Sequence, residues 1–156
     1  MKLINLIGLQ RCGCHAVSNW LLHQRNSVKE ELSLDKSGSL FLTQEQNKCI
    51  VINGFINELD FANLVDFKKI KIDTIINVYE DCELNVLKQQ IEWTTKSIEY
   101  ITKQKVEVIN IVELRDVFNC FASFFYKYEV IPPHIINLWK ARATEILHPN
   151  LFTNSH

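Results

Sequence analysis

The sequence predicts a three-layer α/β/α fold with a central parallel sheet. Three observations carry this expectation. Short apolar runs recur along the chain at Leu3–Leu9, Lys48–Asn53, Ile72–Tyr79 and Val106–Leu114, as strands buried on both faces require. Helical periodicity fills the intervals after the first and third of these runs, which favours right-handed crossovers between parallel strands. A glycine-bearing turn follows the first run directly, at the carboxyl end of a strand, where ligands of such sheets bind.

Taken in order, Leu3, Ile4, Leu6, Ile7 and Leu9 form the first strand, interrupted only by Asn5 and Gly8. A helix then begins near Ala16, with Ala16, Val17, Trp20 and Leu21 as its apolar face, and ends around His23 to Asn26. Residues 27–47 are polar around Ser37-Gly38-Ser39 and read as a loop with room for a hairpin near Ser39 to Thr43. A strand at Lys48–Asn53 stops at Gly54, and a short helix is expected over Leu59–Lys69. After the strand at Ile72–Tyr79, the positions Leu84, Leu87, Ile91, Thr94, Ile98 and Ile101 trace one face of a long helix from about Glu83 to Lys103. The strand from Val106 leads to a helix starting near Asn119, whose aromatic run Phe118, Phe121, Phe124, Phe125, Tyr126 and Tyr128 is expected to pack in the core, with flanking of an adenine as the other use for one of these rings. Pro132-Pro133 breaks the chain. A last helix over Ile135–Leu147 should bury Ile136, Trp139, Ala143 and Ile146 or Leu147, and the tail from His148 should fray.

The turn Gln10-Arg11-Cys12-Gly13-Cys14-His15-Ala16 has the chemistry of an anion site. Unpaired N–H groups of the first helical turn and the positive end of the helix dipole meet the guanidinium of Arg11, which suits a phosphate or sulfate. Gly8 and Gly13 have the spacing of an NTPase P-loop, but Cys14 and His15 stand where that motif needs Lys and Ser or Thr. A hydroxyl to hold magnesium is missing.

This loop resembles the 5'-phosphosulfate loop of the PAPS-dependent sulfotransferases, Pro-Lys/Arg-Ser-Gly-Thr-Thr, and more closely a bacterial form reading Gln-Arg-Ser-Gly-Asn-His-Ala. A second segment is similar to the family's 3'-phosphate motif. There an Arg at a strand end is followed eight residues later by a helical Ser, and Arg115 and Ser123 have that separation. The resemblance implies a P-loop-type fold with PAPS (3'-phosphoadenosine 5'-phosphosulfate) as sulfuryl donor and no metal. It places Arg11, Cys12, Gly13, Cys14 and His15 on the phosphosulfate, and Arg115 and Ser123 on the 3'-phosphate. Transfer to a hydroxyl or amine acceptor, a small molecule or a glycan, is the implied reaction. Cys12 departs from the usual Ser and Cys14 from the usual Thr or Asn. The family pattern continues well beyond its 3'-phosphate helix, whereas here roughly thirty residues follow Ser123; residues 1–156 thus read as a single sulfotransferase-like domain without the family's C-terminal part.

Family members use a His or Glu as base. Glu80 is the first candidate because Tyr79-Glu80-Asp81 ends a central strand, although the same acidic turn fits a helix start. His15 is the second, with donation to the transferring group or capping of the loop as its other uses. Glu30 and Glu31 lie outside this pattern on a polar loop. Thiols at a helix N-terminus are expected to have lowered pKa values, and no Arg lies six residues beyond Cys12 or Cys14 to complete a phosphatase cradle. Two other functions stay open: a noncatalytic domain that binds PAPS or another nucleotide, and a P-loop kinase or NTPase.

Composition sets the outer bounds. The 156 residues are 47% hydrophobic with nine Phe, enough for one core. A net charge of -1 and a pI near 6.5 argue against nucleic acid and membrane-surface partners, and Lys68, Lys69 and Lys71 read as a solvated helix end. Five cysteines without disulfide or zinc spacing, no membrane span and no signal peptide predict a cytoplasmic protein with reduced thiols.

Overall fold

A computed structural model describes residues 1–29, 38–42, 48–53, 72–113 and 115–147. Its elements, in chain order, are β1 (Lys2–Gly8), α1 (Cys14–Gln24), β2 (Val28–Lys29), β3 (Gly38–Leu42), β4 (Lys48–Asn53), β5 (Ile72–Glu80), α2 (Leu84–Thr102), β6 (Glu107–Val112), α3 (Val117–Tyr128) and α4 (Pro133–Leu147). The helix expected over Leu59–Lys69, the basic cluster Lys68 to Lys71, the pair Glu30 and Glu31 and the tail from His148 lie outside the described residues.

One six-stranded sheet runs in the order β2-β3-β4-β5-β1-β6. Strands β4, β5, β1 and β6 are parallel, whereas β3 pairs antiparallel with both β2 and β4. The chain is an α/β protein. The polar stretch after α1 supplies strand β3, which pairs antiparallel with β4 and extends the sheet, and Gly38 and Ser39, read as part of a loop, are strand residues paired with Ile52 and Val51.

The apolar runs form strands for the expected reason. In β1 and β5 nearly every side chain is buried, so both faces must be covered. On one face Ile4, Leu6, Cys49, Val51, Ile76 and Val78 pack with Cys14 and Leu22 of α1. On the other, Leu3, Ile50, Ile52 and Ile75 meet Ile98 of α2, while Ile7 and Tyr79 meet Leu87. Each fully buried Ile or Leu contributes about 1.5–3 kcal/mol. Across this sheet runs one polar row: Asn5 sits in register with Asn77 on one side and Asn110 on the other, and its Nδ2 donates to Asn110 Oδ1 at 2.8 Å.

Helix α2 buries the predicted face, with Leu87, Thr94 and Ile98 inside. The other helices correct the expectations. Helix α1 starts at Cys14, not Ala16, and its buried residues are Cys14, Ser18 and Leu22; Val17 and Leu21 of the expected face pack half-buried against this core, while Trp20 is 58% exposed and Ala16 is exposed. Ser18 tolerates burial because its hydroxyl donates to His15 O at 2.9 Å. Strand β6, read as buried, is an edge strand whose side chains are exposed or half-exposed. Helix α3 starts at Val117 because Asp116 caps it, accepting from Asn119 N at 2.9 Å, so Ser123 lies nearly two turns in. Its aromatic residues are mostly outside the core: Phe124 is buried, but Phe118 is 84% and Tyr126 89% exposed. Among the described side chains of α4, Ile135 and Arg142 are buried and Ile136, Trp139 and Ala143 half-buried, and the expected burial of Ile146 or Leu147 lies outside the described side chains. Arg142, 2% exposed, donates from Nη2 to Cys82 O and so ties α4 to the turn after β5. No helix among the described residues is long and apolar enough to cross a membrane.

Candidate functional site

The site forms where β1, flanked by β5 and β6, hands over to α1. The turn is fixed from both neighbouring strand ends. Asp81, beyond β5, donates its N–H to Gly8 O at 3.1 Å and accepts from Gln10 N on Oδ1 at 2.9 Å. Glu113, beyond β6, donates its N–H to Ile7 O at 2.8 Å. Two residues in the turn adopt the left-handed region, Arg11 at φ 68° and Gly13 at φ 118°. Arg11 is unusual there for a side-chain-bearing residue, and Arg115 Nη1 steadies it by donating to Arg11 O at 3.0 Å. Gly13 is the N-cap of α1 with no side-chain cap, and the N–H groups of Cys14 and His15 behind it have no intrahelical partner by helix geometry.

The two segments that the sequence marks as anion motifs meet in space. Arg11 Nε donates to Ser123 Oγ at 2.9 Å across 112 residues of sequence. Trp139 Nε1 of α4 donates to Arg115 O at 3.2 Å and sets the start of the second motif. Between the motifs lies a cleft of about 370 Å³ lined by Gln10, Arg11, Gly13, Cys14, His15, Glu80, Arg115, Ser123, Lys127 and Tyr128. Every predicted site residue except Cys12 lines it. Cys12 turns instead toward α3, with its Sγ 3.8 Å from Cys120 Sγ.

Glu113 and Lys127 are not among the candidates read from the sequence, Gln10 is quoted there only as the first residue of the loop, and Tyr128 only within the aromatic run. Lys127 follows Ser123 by one helical turn, so the i, i+4 spacing would have found it; its ammonium lies 4.8 Å from the Tyr128 ring centroid. Glu113 lies at the end of the predicted last strand, two residues before Arg115, where strand-end residues collect at sites.

The charges in and beside the cleft are mixed. Glu80 Oε1 lies 3.7 Å from His15 Nε2. Burial raises the Glu80 pKa above the ordinary carboxylate value, and His15 works against that shift. Glu113 also titrates high, chiefly through burial and further through the charge of Glu80, while contact with the Cys14 thiol opposes this. The Glu113 Oε2 lies only 3.7 Å from where a Cβ on Gly13 would stand. Cys14 is fully buried, and burial followed by Glu113 and Glu80 pushes its thiol far up. A lowered thiol pKa at this helix N-terminus is therefore not found at Cys14, because desolvation and two carboxyls outweigh the helix dipole.

No family model matches this chain, and neither curated proteins nor solved structures yield a match. The arrangement itself offers three cations, Arg11, Arg115 and Lys127, with backbone N–H groups at a helix start, all around one cavity that also holds a carboxyl–imidazole pair. Such a cleft can bind a ligand with two anionic groups and take a proton beside one of them.

Proposed function

We propose that this chain transfers a sulfuryl group from PAPS to a hydroxyl or amine acceptor on a P-loop-like, sulfotransferase-type α/β scaffold. The observation that carries the reading is the meeting of Arg11 with Ser123 and of Arg115 with the Arg11 carbonyl around one cleft. Two motifs more than a hundred residues apart have no reason of sequence to converge, and a donor carrying a 5'-phosphosulfate and a 3'-phosphate needs both. In this scheme Arg11 and the N–H groups of Cys12 to His15 hold the phosphosulfate, and Arg115 and Ser123 hold the 3'-phosphate. Lys127 adds a third charge.

Attack on sulfur builds charge on the oxygen bridging to the leaving adenosine bisphosphate, so fixed donors near that oxygen lower the barrier most. Glu80 takes the acceptor proton. Its burial keeps the carboxyl nearer to neutral range than a solvated one, which suits a general base, and His15 holds it by charge when protonated. The family's side-chain donor at position 14 is not replaced, because the Cys14 thiol is buried against Glu113. That burial favours the second reading, a domain that binds the nucleotide without turning it over.

Calorimetric titration with adenosine 3',5'-bisphosphate and with ATP, each with and without magnesium, tests the assignment. Micromolar, metal-independent binding of the bisphosphate, on the order of -8 kcal/mol, is expected, with weak ATP binding. Binding of magnesium ATP alone would overturn it, since phosphoryl transfer depends on the ion. An acceptor screen with labelled PAPS then separates enzyme from binder.

A further inference from the structure

Cys12 and Cys120 stand 108 positions apart in sequence, yet their sulfurs are 3.8 Å apart, in contact across the boundary between the anion loop and α3. Their settings differ in a useful way. Cys12 is half-buried beside Arg11, where a small oxidant can reach it. Cys120 is fully buried beneath it, packed with Phe124 and Ile135 and with its thiol directed to Gln10 O at 3.9 Å. We propose that Cys12 and Cys120 are a redox-modifiable dithiol, which hydrogen peroxide closes into a disulfide bridging the anion loop to α3.

The chemistry balances with the peroxide as the two-electron oxidant. The Cys12 thiol loses its proton, and its sulfur attacks one peroxide oxygen. The O–O bond breaks, a Cys12 sulfenic acid forms, and the departing hydroxide takes up the thiol proton as water. Cys120 sulfur then attacks Cys12 sulfur; the S–S bond forms, the S–O bond breaks, and the hydroxyl leaves as a second water with the Cys120 proton. The order follows from access: half-buried Cys12 meets the peroxide first, and fully buried Cys120, whose thiol burial pushes up, is the resolving partner. Closure brings the sulfurs from 3.8 Å to about 2.05 Å, a short travel for a loop residue. The cleft has Arg11 and Gly13 on its loop side and Ser123 and Lys127 on its α3 side, so the bridge would fix its width.

The test treats the reduced full chain with hydrogen peroxide, blocks remaining thiols under denaturing conditions and maps the peptides. Alkylatable thiols should fall from five to three, with a Cys12–Cys120 cross-link that a reductant reverses. Amide exchange should slow at residues 10–13 and 117–123. Cys120→Ser should stop the reaction at a Cys12 sulfenic acid trapped by dimedone, whereas Cys49→Ala should leave the cross-link intact. A cross-link to any other cysteine, or overoxidation of Cys12 with the Cys120 thiol untouched, would overturn the proposal. The unsubstituted chain decides this by itself, whether or not the variants fold.

Discussion

His15 Nε2 and Glu80 Oε1 face each other at 3.7 Å from two elements, the first turn of α1 and the last residue of β5. The sheet register makes this meeting, because Gly8 pairs with Glu80 immediately before the chain turns into α1. A base that sits here depends on ionisation. Sulfuryl transfer should rise with pH through a midpoint above the ordinary carboxylate value, given the upward shift that burial imposes on Glu80. Glu80→Gln should cost about 10²- to 10⁴-fold in turnover while bisphosphate affinity changes less than about threefold. A parallel loss of binding and turnover would remove Glu80 as base and make it a binding residue.

Arg115→Ala tests the second anion motif. Loss of a charge-assisted contact should weaken adenosine 3',5'-bisphosphate by about tenfold to a hundredfold and adenosine 5'-phosphosulfate far less. Equal weakening of the two ligands in a competition assay is the outcome that sinks the 3'-phosphate assignment.

Glu113 places a carboxyl behind the loop that is to hold an anion. Its folded pKa is raised, so the folded chain binds this proton more tightly than the unfolded chain does. The component is therefore stabilising at low pH and is lost as pH rises from the ordinary carboxylate value through the raised folded one, and Glu80 has the same sign. Glu113→Gln should flatten the stability profile over that window, raise Tm at neutral pH and tighten bisphosphate binding. Thermal melts across pH 4 to 8 check the first two, and calorimetry checks the third.

Gly8→Ala should destabilise the fold, because the added Cβ would lie 2.6 Å from Cys14 Sγ in a closed part of the core. Overpacking of this kind costs about 1–3 kcal/mol. In a Cys14→Ala background the cost should shrink, and denaturant melts of the four members of the cycle measure that coupling. Additive losses would place the strain elsewhere.

The strands, and the residues of the two segments that converge on the cleft, were legible because each depends on local pattern: a run of Val, Ile and Leu, or an Arg at a strand end with a Ser eight residues on. What failed was whatever depends on neighbours. The run at β6 carries no mark of being an edge, and the aromatic residues of α3 repeat with helical spacing although Phe118 and Tyr126 face outward. The face of α1 is legible only in part: Val17 and Leu21 pack on the core, but Ser18 replaces water with the His15 carbonyl, so a polar residue goes in while Trp20 stays out. Arg142 is another such case, since nothing near it in sequence shows that Cys82 O will receive its guanidinium. Glu113 and Lys127 had local signals at a strand end and a helical turn from a named residue, and only the fold shows that Lys127 lines the cleft and that Glu113 stands behind its loop.

The aligned residues Asn77, Asn5 and Asn110 have a consequence for assembly of the sheet. Strands built almost wholly from Val, Ile and Leu can slide past one another by a residue or two with little change in hydrophobic burial, which makes their pairing ambiguous. A slipped β1 would set Asn5 against an aliphatic neighbour and leave its amide without the partner it now finds in Asn110. The polar row thus acts as a detent that stops the strands at one setting. The ends of β5, β1 and β6 inherit that setting, and with it the alignment of Glu80, the glycine turn and Arg115.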